Sequence, residues 1–130
     1  MNWIYRCPKC QGMLNPDETV ILIAEHEQTR FLVGMNPEPG TYEVFFPPEV
    51  DPQKGELWTL KCPMCHSDLT TAEDQKLSAL VMKRKDEPEK QIAFSREVGK
   101  QATFVIGDGI LEEEHGMDLK EFFYYTSIFR

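Results

Sequence analysis

Four cysteines, and no others, stand in this 130-residue chain as two identical spacings, Cys7-Pro8-Lys9-Cys10 and Cys62-Pro63-Met64-Cys65. A Cys-x-x-Cys turn sets two sulfurs on one side of an ion and aims backbone N–H groups at them. Two such turns supply the four thiolates of a closed tetrahedral metal shell. Proline after the first cysteine fixes φ and preorganises each turn. Cys7, Cys10, Cys62 and Cys65 are therefore the expected metal ligands, and one structural zinc ion is the expected occupant. Iron also accepts four thiolates in tetrahedral array, so the ligand set alone does not separate the two metals.

Two other chemistries use the same residues. Redox-active Cys-x-x-Cys pairs need a thiol activated by a helix N-terminus or a nearby cation, and the sequence offers no βα context for either pair. Cys62-Pro63-Met64-Cys65-His66 also matches the Cys-x-x-Cys-His pattern of haem attachment. That reading leaves Cys7 and Cys10 without a role. A closed four-thiolate shell has no open position for water or substrate, which argues against catalytic zinc. The chain lacks a Gly-rich phosphate loop, a Gly-x-Ser-x-Gly elbow and a His-Glu-x-x-His helix. The expectation is a protein that is not an enzyme.

The knuckles sit in a longer repeat. Trp3-Ile4-Tyr5-Arg6-Cys7-Pro8-Lys9-Cys10-Gln11-Gly12-Met13-Leu14 and Trp58-Thr59-Leu60-Lys61-Cys62-Pro63-Met64-Cys65-His66-Ser67-Asp68-Leu69 share Trp-x-x-basic-Cys-Pro-x-Cys-x-x-x-Leu. Each arm reads as a short strand, a tight knuckle and a returning segment, the two related by an approximate two-fold axis through the metal. Trp3 and Trp58 are expected to flank the site and shield it from water. These knuckles, with the β-rich segments beside them, resemble the zinc-ribbon and rubredoxin-like group. That resemblance covers residues 1–70 at most, and it implies a metal held between two β-rich arms. In rubredoxin, an iron electron-transfer protein, glycine usually follows each knuckle. Gln11 and His66 stand there in this chain.

The interval between the knuckles is too long for a plain loop and should carry structure of its own. Segments 19–24, 31–33 and 41–46 read as strands, with a turn at Asn36-Pro37-Glu38-Pro39-Gly40 and a stop at Pro47-Pro48. Beyond residue 76, segments 79–84, 91–96 and 102–106 suggest a three-stranded antiparallel meander closed by Gly107-Asp108-Gly109. Glu112-Glu113-Glu114 reads as an exposed acidic run. Asp118 is placed to cap a short helix with Leu119, Phe122 and Phe123 on one face. The expected fold is mainly β: a zinc-ribbon-like unit, residues 1–70, packed against a β-meander with a short C-terminal helix, residues 71–130.

Charge bears on partners. The formal net charge is −8, and both halves of the chain are acidic. Broad phosphate-backbone binding needs clustered positive charge. Lys83-Arg84-Lys85, with Lys90, Arg96 and Lys100, could form a basic strip for nucleic acid, but Asp86, Glu87, Glu89 and Glu97 lie among the same residues. The aromatic group Phe122-Phe123-Tyr124-Tyr125, with Ile128 and Phe129, can fill a core or form a protein-binding patch. No apolar run reaches the roughly 18 residues of a membrane span. Residues Met1–Arg6 show no basic stretch followed by an apolar run, so no signal peptide is expected. The expectation is a cytosolic protein working through protein contacts, with nucleic-acid binding and rubredoxin-like electron transfer as the alternatives.

Overall fold

The computed structural model describes residues 3–130; Met1 and Asn2, which open the expected first unit, lie outside the described residues. The fold is mainly β, with two antiparallel sheets and one short C-terminal helix. The strands are β1 (Ile4–Arg6), β2 (Val20–His26), β3 (Thr29–Met35), β4 (Val44–Phe45), β5 (Thr59–Lys61), β6 (Leu77–Lys83), β7 (Lys90–Ser95), β8 (Thr103–Gly107) and β9 (Ile110–His115). A 3-10 turn (Leu119–Phe122) leads into helix α1 (Phe123–Ile128). One sheet has the order β4-β3-β2-β5 and the other β1-β6-β7-β8-β9. No helix among the described residues is long and apolar enough to cross a membrane.

Strand β1 does not pair with the strands that follow it. It crosses to the sheet built from residues 77–115, with Tyr5 opposite Met82. Strand β5, which leads into the second knuckle, joins the other sheet with Leu60 opposite Ala24. The period-2 pattern of the strands explains the layering. Val20, Leu22 and Ala24 of β2 point inward and meet Leu80 and Met82 of β6, Ile92 and Phe94 of β7, and Val105 of β8 in one core. The alternate residues Ala93, Phe104 and Ile106 form a second core on the outer face, where Phe122 and Tyr125 cover them. Strand β8 is buried along its whole length because it lies between these two layers.

Three expectations change in detail. Of the strand expected over 41–46, only Val44–Phe45 pairs, with Gly34 and Met35 of β3. A turn from Glu38 to Thr41 and a hydrogen bond between the Tyr42 and Thr103 hydroxyls (3.1 Å) draw residues 41–43 toward the opposite sheet instead. The acidic run 112–114 is a fourth strand of the meander, β9, reached through a turn at Asp108 and Gly109, both at positive φ. Its charges are neutralised by Lys90 on Glu112, Arg84 on Glu113 and Arg130 on Glu114. At the C-terminus Asp118 makes no side-chain cap; its Oδ2 accepts the Gln101 N–H at 2.9 Å. The first turn is 3-10, which brings residues three apart onto one line. Phe122 and Tyr125 therefore enter the core, and Phe123 faces out.

Candidate metal centre

The two arms of the repeat adopt matching hydrogen bonds. The Cys7 N–H donates to Gly12 O at 3.0 Å and the Cys62 N–H to Ser67 O at 3.1 Å. The Gln11 N–H reaches Cys7 O at 3.0 Å, and the His66 N–H reaches Cys62 O at 2.9 Å. Leu14 returns to Tyr5 O at 2.8 Å and Leu69 to Leu60 O at 2.9 Å. Gln11 and His66 both take left-handed backbone, φ 65° and 64°. The turn thus needs positive φ at the position after each knuckle, and this chain meets the need with side-chain-bearing residues, at a local cost. Gly12 has a different use: Met64 of the opposite knuckle occupies the space a Cβ would fill.

The thiols converge. Cys7 Sγ is 3.7 Å from Cys65 Sγ, Cys10 Sγ is 3.8 Å from Cys62 Sγ, and all four sulfurs lie within 4.8 Å of one another. No pair is close enough to be a disulfide. Four sulfurs placed about 2.3 Å from a central ion at tetrahedral corners stand about 3.8 Å apart. The observed spacings suit one tetrahedral ion. Backbone amides point at the buried sulfurs from both turns: Lys9 and Cys10 N–H at 3.3 and 3.5 Å from Cys7 Sγ, and Met64 and Cys65 N–H at 3.3 and 3.5 Å from Cys62 Sγ. The Gly12 N–H lies 3.4 Å from Cys10 Sγ, and the Ser67 hydroxyl is 3.2 Å from Cys65 Sγ. Five N–H groups and one hydroxyl therefore face the sulfurs and disperse thiolate charge.

Burial divides the ligands. Cys7 and Cys62 are buried, and Cys10 and Cys65 are exposed. Without a metal, burial pushes the Cys7 thiol up to about 11, while the Ser67 hydroxyl beside Cys65 brings that thiol down to about 6.

The tryptophans have specific neighbours. The Arg84 guanidinium lies 4.8 Å from the centre of the Trp3 ring. Trp58 meets the edges of Phe31 and Phe46 at 5.1 and 6.4 Å and lines a cleft between the sheets. Four cations of the basic strip, Arg84, Lys90, Arg96 and Lys100, have partners. Arg84 forms a two-pronged pair with Glu113, Lys90 binds Glu87 and Glu112, and Lys100 binds Glu121. Arg96 donates to the carbonyls of Gln75 and Trp58. His26 stands 3.3 Å from Glu56, and His115 3.0 Å from Glu113. His66 is exposed.

Two features had no counterpart in the sequence reading. Asn15, buried, accepts the Tyr5 N–H on Oδ1 and donates from Nδ2 to Trp3 O, both at 2.8 Å, so it completes the free side of β1. The inter-sheet cleft is the other, with a volume of about 370 Å³. It is assembled from residues far apart in sequence, which no local pattern reveals.

The fold and site together define a two-sheet β protein with a four-cysteine centre that could hold one metal ion. No protein-family model, curated protein or solved structure matches the chain.

Proposed function

We propose that this is a cytosolic zinc protein, not an enzyme, in which one structural ion ties the two sheets together and the assembled surface serves protein contacts. The observation that carries the reading is the origin of the ligands. Cys7 and Cys10 follow β1 of the five-stranded sheet, whereas Cys62 and Cys65 follow β5 of the four-stranded sheet. An ion at their centre is a cross-link between layers rather than a brace within one loop. Its shell is closed by four sulfurs, which suits a structural role. Zinc is favoured over iron because it is the common occupant of structural thiolate sites, and because Gln11 and His66 depart from the rubredoxin pattern.

Protein is favoured over nucleic acid as partner for two reasons. The net charge is −8, and Arg84, Lys90 and Lys100 are already held by carboxylates. On the outer side of α1, Phe123, Tyr124 and Ile128 are exposed, with Met117 nearby in sequence, and exposed apolar clusters of this kind suit protein contact. Free thiols held for a metal fit the reducing cytosol.

The deciding experiment is metal analysis with visible absorbance, on protein purified without added metal. One equivalent of zinc in a colourless protein is expected. Iron with thiolate-to-iron visible bands would reject zinc and favour electron transfer. A gel-shift titration with RNA and single-stranded DNA at low salt is expected to give no complex; a salt-sensitive shift would restore the nucleic-acid reading.

A further inference from the structure

The cleft between the sheets is lined in its depth by side chains that a sandwich normally packs against one another. Tyr5, Val33, Trp58, Leu60, Ile92 and Phe94 are all buried, and together with residues of the surrounding loops they line an open cleft of about 370 Å³. Protein interiors are otherwise close-packed, and an engineered apolar cavity of about 150 Å³ stays dry and takes up benzene. The space here is more than twice that volume and falls within the roughly 300–1,000 Å³ of small-molecule sites. Segments 36–42 and 95–101 supply the rest of the lining, with Val20, Val44, Phe46, Pro52, Leu80 and Thr103.

The chemistry of the walls narrows what fits. Several polar groups of the lining are already engaged within the protein. The Tyr5 hydroxyl donates to Pro37 O, the Tyr42 and Thr103 hydroxyls bond to each other, and Trp58 Nε1–H donates to Glu56. At the rim, Arg96 is committed to two backbone carbonyls and Lys100 to Glu121 at 2.9 Å. Glu38 and Glu97 add two carboxylates to the same rim. The two carboxylates balance the charges of Arg96 and Lys100, so the rim has no net positive charge to draw in a ligand anion.

We propose that the inter-sheet cleft is a binding site for a neutral, apolar small molecule about the size of two fused rings or a medium-length alkyl chain. Burial of apolar surface supplies the affinity, and a rim without net positive charge gives anionic amphiphiles such as fatty acids no compensation for desolvating their carboxylate. Tyr5 and Leu60 each lie two residues before the first cysteine of a knuckle, so the strands that carry the metal ligands also form walls of the cleft.

N-phenyl-1-naphthylamine, a neutral probe that brightens in apolar surroundings, tests this on the metal-loaded protein. Saturable binding is expected, with energy transfer from Trp58. Val33→Phe and Leu80→Phe each fill the cleft from a different sheet, so one can misfold without removing the test. The folded one is expected to bind at least about tenfold more weakly, the scale of a methylene-sized misfit in an apolar pocket. Tyr124→Ser, on the exposed face of α1, is expected to leave binding unchanged. Displacement by decanol would identify a chain-like ligand and displacement by naphthalene a ring; either supports the proposal. Absence of saturable binding, unchanged binding in a folded cleft-filling variant, loss in Tyr124→Ser, or decanoate competing as well as decanol would each overturn it. None of these readouts depends on whether the ion is zinc or iron, so failure here is separable from failure of the metal assignment.

Discussion

Positive φ at Gln11 and His66 is a demand of the knuckle rather than of the residue that fills it. In His66 the left-handed backbone carries a strain of roughly 1 kcal/mol, against which glycine brings an unfolded-state entropy cost of about 0.4–1 kcal/mol. His66→Gly is therefore expected to leave stability within about 0.5 kcal/mol of the parent or above it, where glycine substitutions commonly destabilise. His66→Val should lose more than about 1 kcal/mol, because a β-branched residue fits this region worst. Denaturant midpoints of the two metal-loaded variants decide it; equal losses would mean that the turn does not need this conformation. Glu113 makes a second residue-scale prediction. Arg84 holds its carboxyl at about 2, below the ordinary 4.5. The native carboxylate resists protonation, so the pair's contribution is complete above about pH 4.5 and disappears as pH falls toward about 2. Glu113→Gln should be less stable than the parent near neutrality and should converge with it in acid. Loss of metal from protonated thiols affects both proteins alike, so the difference between their midpoints at each pH is the readout. A difference that persists unchanged in acid would exclude the ion pair as its source.

At the scale of elements, β1 is only three residues long, and what holds it in place is unevenly visible in the sequence. One side of it pairs with β6, and the other is finished by the amide of Asn15, a residue whose type does not announce that role. Asn15→Ala leaves the Tyr5 N–H and the Trp3 carbonyl without these partners and should cost about 1–3 kcal/mol. Because β1 carries the first knuckle, metal affinity measured by chelator competition should fall as well. Weakened folding with unchanged metal affinity would show that the knuckle positions itself without its strand. The same contrast between local and distant information explains what could be read in advance. Cys7, Cys10, Cys62 and Cys65 were legible because ligand spacing is a local property, and the strand–knuckle–return form of the arms because it recurs in two places. Strand β9 was hidden because three consecutive glutamates suggest solvent, and only the partners on other elements, Arg84, Lys90 and Arg130, make that charge compatible with a sheet. Its Asp108-Gly109 turn was the signal that could have found it. The assignment of β1 and β5 to different sheets could not be read from the arms at all, since the arms share one pattern and their partners lie elsewhere in the chain.

For the whole molecule, that difference in sheet membership decides what metal removal should do. If each knuckle pair braced only its own loop, an apo protein would fray near residues 7–12 and 62–67 and keep its core. The sulfurs instead join the end of a five-stranded sheet to the end of a four-stranded one, and the buried residues of both sheets share one core that includes Cys7 and Cys62 themselves. Taking the ion away leaves the buried thiols with backbone N–H groups and one another as partners and removes a link between the layers at that end. Metal that binds the folded state alone contributes about 4 kcal/mol when its free concentration is a thousandfold above Kd. Chelation is therefore expected to lower the thermal midpoint of the entire protein in one transition. Trp58, buried between the sheets and far in sequence from Cys7, should shift its emission to the red as the layers part. Readding one equivalent of metal should reverse both changes. A chelated protein that retains its midpoint and its Trp58 emission, while only amide signals near the knuckles move, would reduce the ion from a link between sheets to a local brace.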